Sequence, residues 1–378
     1  MLRANLDFLR PAGVVSAATL ALDIFESDGE HVIEGVLRAR DPALWFPILH
    51  GVPCFLTGAL RPDLSAFCAR RGLDQPIDVG PCPQDAEQAK TNETFSDKWH
   101  RFTRYGFEPA HQDFLLGWAC RKLGVPDREA LIAFYRDRER VLEVGPGSGF
   151  YTRFIAEHCR GQVFALDISD AAYTTFENTR HLPNCTVVQA DLMQAPFPDD
   201  AFDVVIADGV LHHTPDTRAA VAALYRKVRP GGHFFFHVYR QMGAARRFTD
   251  AHIRDAFGKL SPQECYTACE GLTELGRELS KLGATITLEK PIPVLGIPAG
   301  THDVQRLLYY NFVKCFWNDA FDYETNNMVN FDWYHPRHAW QHTEDEVRCW
   351  LDELKVRSFS FQNANPNGIS VLLTKPRA

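Results

Sequence analysis

The sequence has no Cys-x-x-Cys pair, although its 378 residues include ten cysteines. Cysteines scattered singly indicate neither a disulfide framework nor a zinc site. The chain also has no apolar run close to the ~20 residues that a membrane-spanning helix needs. Its N-terminal apolar streak is bracketed by Asp7 and Asp23 and is followed by no convincing signal-peptide cleavage site. We therefore expect a cytoplasmic protein, outside the membrane and without a bound metal.

Basic charge is also in short supply. The chain has 40 Lys and Arg residues against 48 Asp and Glu residues, which gives a formal net charge of −8. This balance opposes the phosphate backbone that dominates nucleic-acid affinity, so we expect no nucleic-acid partner. Nothing in the sequence indicates the oligomeric state.

Strand-like and helix-like segments alternate between residues 140 and 240. The apolar runs RVLEVG, QVFALD, CTVVQAD, FDVVIADG and GHFFFHVY are interspersed with helical stretches such as YTRFIAEHC and TRAAVAALYRKV. Near-continuous apolar strands that alternate with helices indicate a parallel sheet covered on both faces. The sequence therefore predicts an α/β fold with a doubly wound, Rossmann-like sheet.

The alternation stops after Tyr239 and resumes near Thr343, where TEDEVRCWLDEL predicts a helix capped by that threonine. Two strand-like segments, VRSFSFQ and GISVLLTKP, follow and are predicted to close the sheet through the turn NANPNG. About a hundred residues are therefore inserted before the last helix and strands.

The insertion is rich in aromatic residues, with 11 in the 40 positions from 301 to 340. An insertion beyond the carboxyl ends of the strands is expected to form a lid over a substrate pocket. A small helical subdomain with its own core is an equally open interpretation. Helical periodicity in VQRLLYYNFVKCFW would put four apolar residues on one stripe: Val304, Leu308, Phe312 and Cys315.

The chain divides into five predicted segments. Strand-like HVIEGVLRAR and the Pro-punctuated FPILHGVPCFL indicate a small separate module near the N-terminus. TNETFSDKWHRFTRYG is predicted to connect this module to a helix through HQDFLLGWACRKL. The segments are the N-terminal module (1–80), a linker and helical segment expected to cover a ligand site (81–139), the core of alternating strands and helices expected to form that site (140–240), the lid insertion (241–341) and the closing helix and strands (342–378).

The stretch VLEVGPGSGFYT joins the first predicted core strand to a helix through three glycines, Gly145, Gly147 and Gly149. Glycines here let the backbone turn sharply and let a ligand approach more closely than a Cβ atom would permit. A dinucleotide-binding loop would have the spacing G-x-G-x-x-G. Phe150 stands at the position of its last glycine, so a nicotinamide dehydrogenase is the weakest alternative.

Three acids lie near the ends of neighbouring strands at a regular spacing. Glu143 precedes the glycine loop, Asp167 lies 24 residues later at the end of QVFALD, and Asp191 lies a further 24 residues on. All three are expected at the carboxyl edge of the sheet. Carboxylates there can accept hydrogen bonds from a ligand ammonium, from ribose hydroxyls and from an adenine amino group, in that order. The pattern indicates a nucleoside with an amino-acid tail and no pyrophosphate.

At this point the sequence resembles a known family. VLEVGPGSG, VFALDIS, VVQADLMQAPFPDDAFDVVIADGVLHHTPD and KVRPGGHFFFHVY are similar to the ordered motifs of class I S-adenosylmethionine-dependent methyltransferases. The resemblance implies a seven-stranded sheet that binds S-adenosyl-L-methionine and releases S-adenosyl-L-homocysteine. It implies these cofactor contacts: Gly145, Gly147 and Gly149 with the methionine moiety, Asp167 with the ribose and Ile168 next to it, Asp191 and Leu192 with the adenine, and Asp208 and Gly209 near the sulfonium.

Segments outside the core resemble one bacterial subgroup of that family. FLRPAGVVSAATLAL and IEGVLRARDPALWFPILHGVPCFL are similar to its zinc-ribbon-like module, but the cysteine pairs expected near 9–13 and 38–43 are missing. ETFSDKWHRF and NFDWYHPRHAWQHTEDEV resemble its linker and lid. This resemblance implies that Phe95, Trp99 and Tyr105 close over the cofactor, where an aromatic face stabilises a desolvated sulfonium by about 1 kcal/mol or more. Trp99 is equally expected as an ordinary buried anchor.

Methyl transfer from a sulfonium requires mainly that nucleophile, methyl carbon and sulfur are aligned and that water is excluded. A base is needed only if the acceptor arrives protonated. His212 and His213 follow the fourth core strand, where the acceptor is expected to enter, and imidazole is a suitable base. One of the pair is expected to pack inward. His237 is expected to be a strand residue that faces a helix.

The insertion supplies the candidate acceptor-binding residues. Its loop FDWYHPRH would suit a flat or apolar acceptor, although a solvated loop with a hydrophobic anchor is as consistent with the sequence. We favour methyl transfer to a small molecule. Methylation of RNA or protein, recruited by the N-terminal module, and cofactor binding without turnover stay open. The candidate acceptor residues are Tyr309, Tyr310, Trp333, Tyr334, His335 and His338.

Overall fold

The computed structural model describes residues 1–11, 20–39, 41, 43–77, 86–362 and 366–377. The predicted turn NANPNG falls partly outside these residues. The strands are β1 (Ala21–Asp28), β2 (His31–Arg38), β3 (Trp45–Leu49), β4 (Val52–Pro53), β5 (Arg140–Val144), β6 (Gln162–Asp167), β7 (Cys185–Gln189), β8 (Phe202–Asp208), β9 (Val228–Arg240), β10 (Thr285–Leu288), β11 (Gly300–Asp303), β12 (Gln341–His342), β13 (Ser358–Gln362) and β14 (Gly368–Thr374).

The helices are α1 (Ser65–Arg71), α2 (Ala86–Arg101), α3 (Pro109–Leu123), α4 (Arg128–Arg136), α5 (Phe150–His158), α6 (Ala171–Thr179), α7 (Thr217–Lys227), α8 (Ala244–Phe257), α9 (Pro262–Lys281), α10 (Val304–Asn311), α11 (Tyr323–Tyr334) and α12 (Glu344–Glu353). Short 3-10 helices span Arg3–Phe8, Gly58–Leu60, Leu192–Gln194, Leu211–His213 and Pro293–Leu295. Thr343 and Glu346 form the predicted capping box of α12. In the described part of the chain, no helix has the length and apolarity to cross a membrane.

The central sheet has the strand order β13-β14-β9-β8-β5-β6-β7. Strands β5 to β9 are parallel, whereas β14 runs antiparallel between β9 and β13. The predicted α/β fold with a doubly wound, seven-stranded sheet is therefore confirmed. An eighth strand, the two-residue β12, was not predicted; it pairs with the end of β9.

Both faces of the sheet are covered, which explains the near-continuous apolar strands. Successive side chains of a strand point to opposite faces. In β8, Val205 and Ala207 pack into one hydrophobic cluster, while Val204 and Ile206 pack into a second one on the other face. A strand of this kind has no polar side to expose, so its sequence shows no alternation.

The N-terminal residues form an antiparallel sheet with the order β1-β2-β3-β4, docked on the edge strand β7. The Phe55 N–H donates to the Gln189 carbonyl at 2.8 Å, and Val32 shares one hydrophobic cluster with Leu142 of β5. This sheet covers an edge that would otherwise expose unpaired backbone groups. Among the described residues, no group of three His, Cys, Asp or Glu side chains is arranged to bind a metal.

The insertion between β9 and β12 is mostly helical, with β10 and β11 as a hairpin. It has a small core of its own around Cys265, Cys269 and Phe331. The predicted stripe on α10 is wrong beyond its first turns, because the backbone leaves the helical conformation at Phe312 (φ −127°). Phe312 and Cys315 therefore follow the helix, and its buried residues are Gln305 and Tyr309.

The ion pair of Asp250 with Arg246 connects three helices of the insertion. Arg246 and Asp250, one turn apart on α8, form an ion pair of 2.9 Å with both side chains buried. Asp250 also accepts hydrogen bonds from Trp333 Nε1 at 3.0 Å and from the Tyr334 hydroxyl at 3.1 Å. Arg246 donates to the carbonyl of Tyr309 as well. The pair therefore joins α8 to both α10 and α11.

We expect Asp250→Ala to lower the free energy of unfolding by about 3–5 kcal/mol, because it leaves the buried Arg246 cation without a partner. Chemical denaturation followed by circular dichroism measures the change. Asp255→Ala is the matched control on α8, since the ion pair of Asp255 with Lys259 is largely exposed and should contribute little. Equal stability of the two variants would contradict the role given to Asp250.

Candidate active site

A cavity of about 900 Å³ lies at the carboxyl ends of β5, β6, β7 and β8. The loops after these strands form its floor, α2 and α3 form its sides, and the segment from α10 to α11 forms its roof. Ligands of doubly wound α/β folds bind at this edge of the sheet. The volume is near the upper end for small-molecule sites, so a cofactor and an acceptor fit together.

Most of the predicted site residues meet at this cavity, and a smaller set lies outside it. Those that line it are Phe95, Trp99, Tyr105, Glu143, Gly145, Asp167, Ile168, Asp191, Leu192, Asp208, Gly209, His213, Tyr309, Tyr310 and Trp333. Those outside its lining are Gly147, Gly149, His212, Tyr334, His335 and His338.

The glycine loop is shaped by close packing as much as by ligand approach. Gly145 has a φ of 69°, and a Cβ atom there would lie 2.3 Å from the side chain of Val210. Gly147 has a φ of 61°, and its Cβ would lie 2.4 Å from the Trp99 ring. Only glycine suits both positions. Gly147 therefore contacts a tryptophan of α2, while Gly145 borders the cavity.

Two predicted acids are buried without a cation. Glu143 is 5% exposed and accepts a hydrogen bond from the Thr152 hydroxyl, and burial raises its pKa to about 8. Asp167 is 8% exposed and accepts from the amide and the hydroxyl of Ser169 at 2.8 and 2.7 Å. Burial raises the pKa of Asp167 to about 6. Within the described residues, neither carboxylate has an ion-pair partner.

The other two acids differ from each other. Asp191 accepts from the Met193 amide at 2.9 Å, and burial raises its pKa. Asp208 binds the ammonium of Lys122 at 2.7 and 3.0 Å. Burial opposes ionisation of Asp208, but Lys122 and the neighbouring His237 outweigh it and hold its pKa below the usual range. Asp208 is therefore neutralised by the protein, whereas Asp191 is available to a ligand.

The aromatic residues of the predicted cofactor cover take different roles. The Lys98 ammonium lies 4.4 Å from the ring centre of Trp99, and Gly147 packs against the same ring. This favours the interpretation of Trp99 as an anchor for the glycine loop. Tyr105 accepts a hydrogen bond from Ser148 through its carbonyl at 2.7 Å. A sulfonium contact by Phe95 or Tyr105 stays a prediction.

The two adjacent histidines are divided by the fold. His212 is fully buried outside the cavity, with its ring 3.6 Å from that of Tyr239 and no hydrogen-bond partner for either nitrogen among the described residues. His213 borders the cavity and its Nδ1 lies 2.6 Å from the His338 carbonyl. Nδ1 therefore donates, which leaves Nε2 as an acceptor. Burial lowers the pKa of His213 to about 4.

Part of the predicted acceptor loop holds the lid in place. His335 pairs through Nδ1 with the Thr94 hydroxyl at 2.7 Å, and the His338 amide donates to the Thr91 hydroxyl at 3.2 Å. Together with Tyr334, which binds Asp250, these residues fasten the lid to α2 and α8. Tyr309, Tyr310 and Trp333 instead form part of the cavity wall.

Several cavity residues were not predicted from the sequence. His237, expected to face a helix, lies at the cavity with its Nδ1 2.8 Å from the Ser370 hydroxyl. Asp332 pairs with Lys98 at 3.1 Å. Single basic and aromatic residues in helices and loops look like ordinary surface and core residues in a sequence, so no pattern marks them. The others are Lys122, Arg306, Lys314, Phe114, Trp118, Phe316 and Phe321.

Comparison with known proteins matches residues 142–236 to a family described as "Methyltransferase domain". Cycloartenol-C-24-methyltransferase of Arabidopsis thaliana is 33% identical over 97 residues, which cover 25% of this chain and 29% of that protein. Sterol 24-C-methyltransferase erg6 of Aspergillus fumigatus is 27% identical over 194 residues, which cover 46% of this chain and 49% of that protein. The chain thus spans less than half the length of these two relatives.

Among solved structures, N-methyltransferase NodS of Bradyrhizobium japonicum, in complex with S-adenosyl-L-homocysteine, is similar over 76% of this chain and 100% of its own. Its identity is 14% and its TM-score is 0.38, too low to support an inference about function. The family match confirms the predicted methyltransferase domain over residues 142–236, and S-adenosyl-L-methionine is the cofactor predicted for such a domain. These matches lend no support to a zinc-ribbon-like N-terminal module.

The chemistry of the site fits S-adenosyl-L-methionine. Glu143, Asp167 and Asp191 are carboxylates at the strand ends without an ion-pair partner among the described residues. They suit a ligand that brings a cation and several hydrogen-bond donors, and they would repel a pyrophosphate. The raised pKa of Glu143 in particular indicates a buried carboxyl that an ammonium group of a ligand would allow to ionise.

We expect Glu143 to contribute a loss of stability to the ligand-free protein as pH rises from about 4.5 to about 8, the interval between the ordinary and the folded-state pKa of this carboxyl group. In this interval the folded protein holds a proton that the unfolded chain releases, so the higher pH favours unfolding. Glu143→Gln cannot ionise, so the variant should lack this contribution and its stability relative to the wild type should rise with pH across the interval. Unfolding by urea at a series of pH values measures it.

Glu270→Gln is the control for this experiment, because Glu270 is an exposed residue of α9. It should keep the wild-type pH dependence. The interpretation of Glu143 is contradicted if its glutamine variant keeps the wild-type slope.

Proposed function

We propose that this protein transfers a methyl group from S-adenosyl-L-methionine to a small-molecule acceptor with an apolar or aromatic body. The supporting observation is that a single cavity combines three strand-end carboxyl groups, without an ion-pair partner among the described residues, with a roof that carries five aromatic side chains: Tyr309, Tyr310, Phe316, Phe321 and Trp333. The lid above the cavity and the net charge of −8 disfavour RNA or a folded protein as the acceptor. Two relatives are named for sterol substrates, which are apolar small molecules.

Three residues would hold the cofactor. Glu143 would pair with its ammonium, Asp167 would accept from the ribose hydroxyls and Asp191 would accept from the adenine amino group. When bound, the cofactor supplies a methyl group already activated on a sulfonium. The chain has to bring the acceptor atom in line with that group and to exclude water, and positioning of this kind can lower a barrier by about 7–11 kcal/mol.

His213 is the residue best placed to take a proton from the acceptor. Its Nδ1 donates to the His338 carbonyl, which fixes the tautomer of the ring. Nε2 therefore carries no proton and can accept one. The low pKa keeps the ring neutral at physiological pH and thus ready to accept a proton. It also makes His213 a weak base, which suits an acceptor that loses its proton while the methyl group is transferred.

Asp167→Asn should weaken binding of S-adenosyl-L-homocysteine by about a hundredfold. It removes the negative charge that would strengthen two hydrogen bonds from the ribose, a loss of about 1–1.5 kcal/mol for each bond, and 1.4 kcal/mol corresponds to a factor of ten. Isothermal titration calorimetry measures the affinity. Asp199→Asn is the control. Asp199 is exposed and paired with Lys227, so this variant should bind S-adenosyl-L-homocysteine like the wild type. The proposal is falsified if the wild-type protein binds neither S-adenosyl-L-methionine nor its product.

His213→Phe should lower kcat by about 10²–10⁴-fold if His213 takes the proton, without changing the affinity for S-adenosyl-L-homocysteine. Release of S-adenosyl-L-homocysteine with an acceptor found by screening gives kcat. His212→Phe is the matched control, because the ring of His212 lies outside the cavity and its nitrogens bind no described residue. Equal losses in both variants would remove His213 from this role.

A further inference from the structure

The roof of the cavity carries two cations without a carboxylate partner. Four basic side chains line the cavity, and two are neutralised: Lys98 by Asp332 at 3.1 Å and Lys122 by Asp208 at 2.7 Å. For the other two, Arg306 and Lys314, no Asp or Glu of the described chain lies within ion-pair distance. Both belong to the insertion, opposite the acidic floor.

Lys314 is the more informative of the two. It follows α10, is 6% exposed, and its backbone amide donates to the Tyr334 hydroxyl at 3.1 Å. Its ammonium lies 4.2 Å from the ring centre of Trp333 and borders the cavity. Burial and then the nearby Arg246 lower its pKa to about 7. A buried ammonium with no counter-charge is unfavourable, and a methionine would fill the place better.

The surroundings of Lys314 do not provide the missing negative charge. Asp250 is already paired with Arg246 and Asp332 with Lys98. Arg246 even keeps one buried nitrogen, Nη2, for which the described residues supply no hydrogen-bond acceptor. Asp332 and Asp250 therefore act on Lys314 only from beyond ion-pair distance, and the acid group of a ligand would be the first anion in contact with its ammonium.

Arg306 and the aromatic side chains of the cavity indicate the chemistry of the rest of the ligand. Arg306 lines the same roof and donates to the Trp317 carbonyl at 3.2 Å, which leaves part of its guanidinium for a ligand. Phe321 of the roof packs edge-to-face on Phe114 of α3, with ring centres 4.9 Å apart, and Trp118 stacks next to Phe114 at 6.2 Å. Apolar walls thus lie opposite charged ones.

We propose that the acceptor is an acid, with a carboxylate or phosphate group that pairs with Lys314 and an apolar or aromatic body that packs against Phe114, Trp118 and Phe321. This inference rests on the proposed function and specifies its acceptor. Pairing with an anion removes the cost of the buried ammonium, and Arg306 strengthens the attraction. The acidic group also orients the body of the acceptor across the cavity, towards the strand ends.

Matched ligand pairs test the proposal on protein saturated with S-adenosyl-L-homocysteine. Calorimetric titration compares 3-phenylpropanoate with 3-phenylpropanamide, and 1-naphthyl phosphate with 1-naphthol. We expect the acid of at least one pair to bind at least about tenfold more tightly than its neutral partner, the effect of one charge-assisted hydrogen bond. The pair that shows the difference distinguishes carboxylate from phosphate. Equal binding of acid and neutral partner in both pairs would overturn the proposal.

Lys314→Met should abolish the preference for the acid, leave the affinity for S-adenosyl-L-homocysteine unchanged and raise the Tm of the ligand-free protein. A lysine with only a structural role would lower the Tm when replaced. Lys259→Met, which replaces an exposed lysine just after α8, is the control and should keep the wild-type preference. A preference that survives in Lys314→Met contradicts the assignment.

Failure of this inference is distinguishable from failure of the proposed function. If the wild-type protein does not bind S-adenosyl-L-homocysteine, the proposed function is wrong, and the ligand pairs can still be titrated without it. If it binds but does not discriminate between acid and neutral ligand, only the acidic acceptor is excluded.

Discussion

The position of the lid over the site depends on the hydrogen bonds and the ion pair of the Asp250 carboxylate. This carboxylate accepts hydrogen bonds from Arg246, Trp333 and Tyr334 and so holds α11 against α8. The residue before Trp333, Asp332, reaches the cavity and binds Lys98 of α2, and the next residue of α2, Trp99, packs on Gly147. An unbroken series of contacts therefore runs from the lid to the glycine loop. A lid displaced from α8 would also loosen the loop that borders the cofactor.

The acidic and the basic side chains of the cavity come mostly from different parts of the fold. Its strand-end carboxyl groups without an ion-pair partner among the described residues come from the ends of β5 and β6 and the turn after β7, whereas the cations without a carboxylate partner come from the insertion, whose one acid at the cavity, Asp332, is paired with Lys98. A cationic cofactor and an anionic acceptor would each be drawn to its own end and towards each other. Because Glu143, Asp167 and Lys314 are buried, water would screen their charges little, and the field on such ligands would be stronger than at a surface.

The sequence predicted the floor of the site much better than its roof. Apolar strands, the glycines between β5 and α5 and the acids at strand ends follow from the geometry of a parallel sheet, so local patterns are enough to find Asp167 and Asp191. Lys122 and Lys314 meet the cavity only through tertiary packing, and no local pattern marks them. Likewise, periodicity could not show that α10 ends at Asn311, or which of two adjacent histidines borders the cavity.

The position of the insertion explains how one sheet can serve a specialised acceptor. The chain leaves the sheet at the end of β9 and returns through β12, where Gln341 pairs with Tyr239. Both ends of the insertion are thus joined side by side, directly above the strand ends. A change in the length or side chains of the insertion would not need to change the sheet. The pairing of β12 with β9 joins the two ends of the insertion, whatever lies between them. Under the proposed function, the strand ends would bind the cofactor and the insertion would select the acceptor.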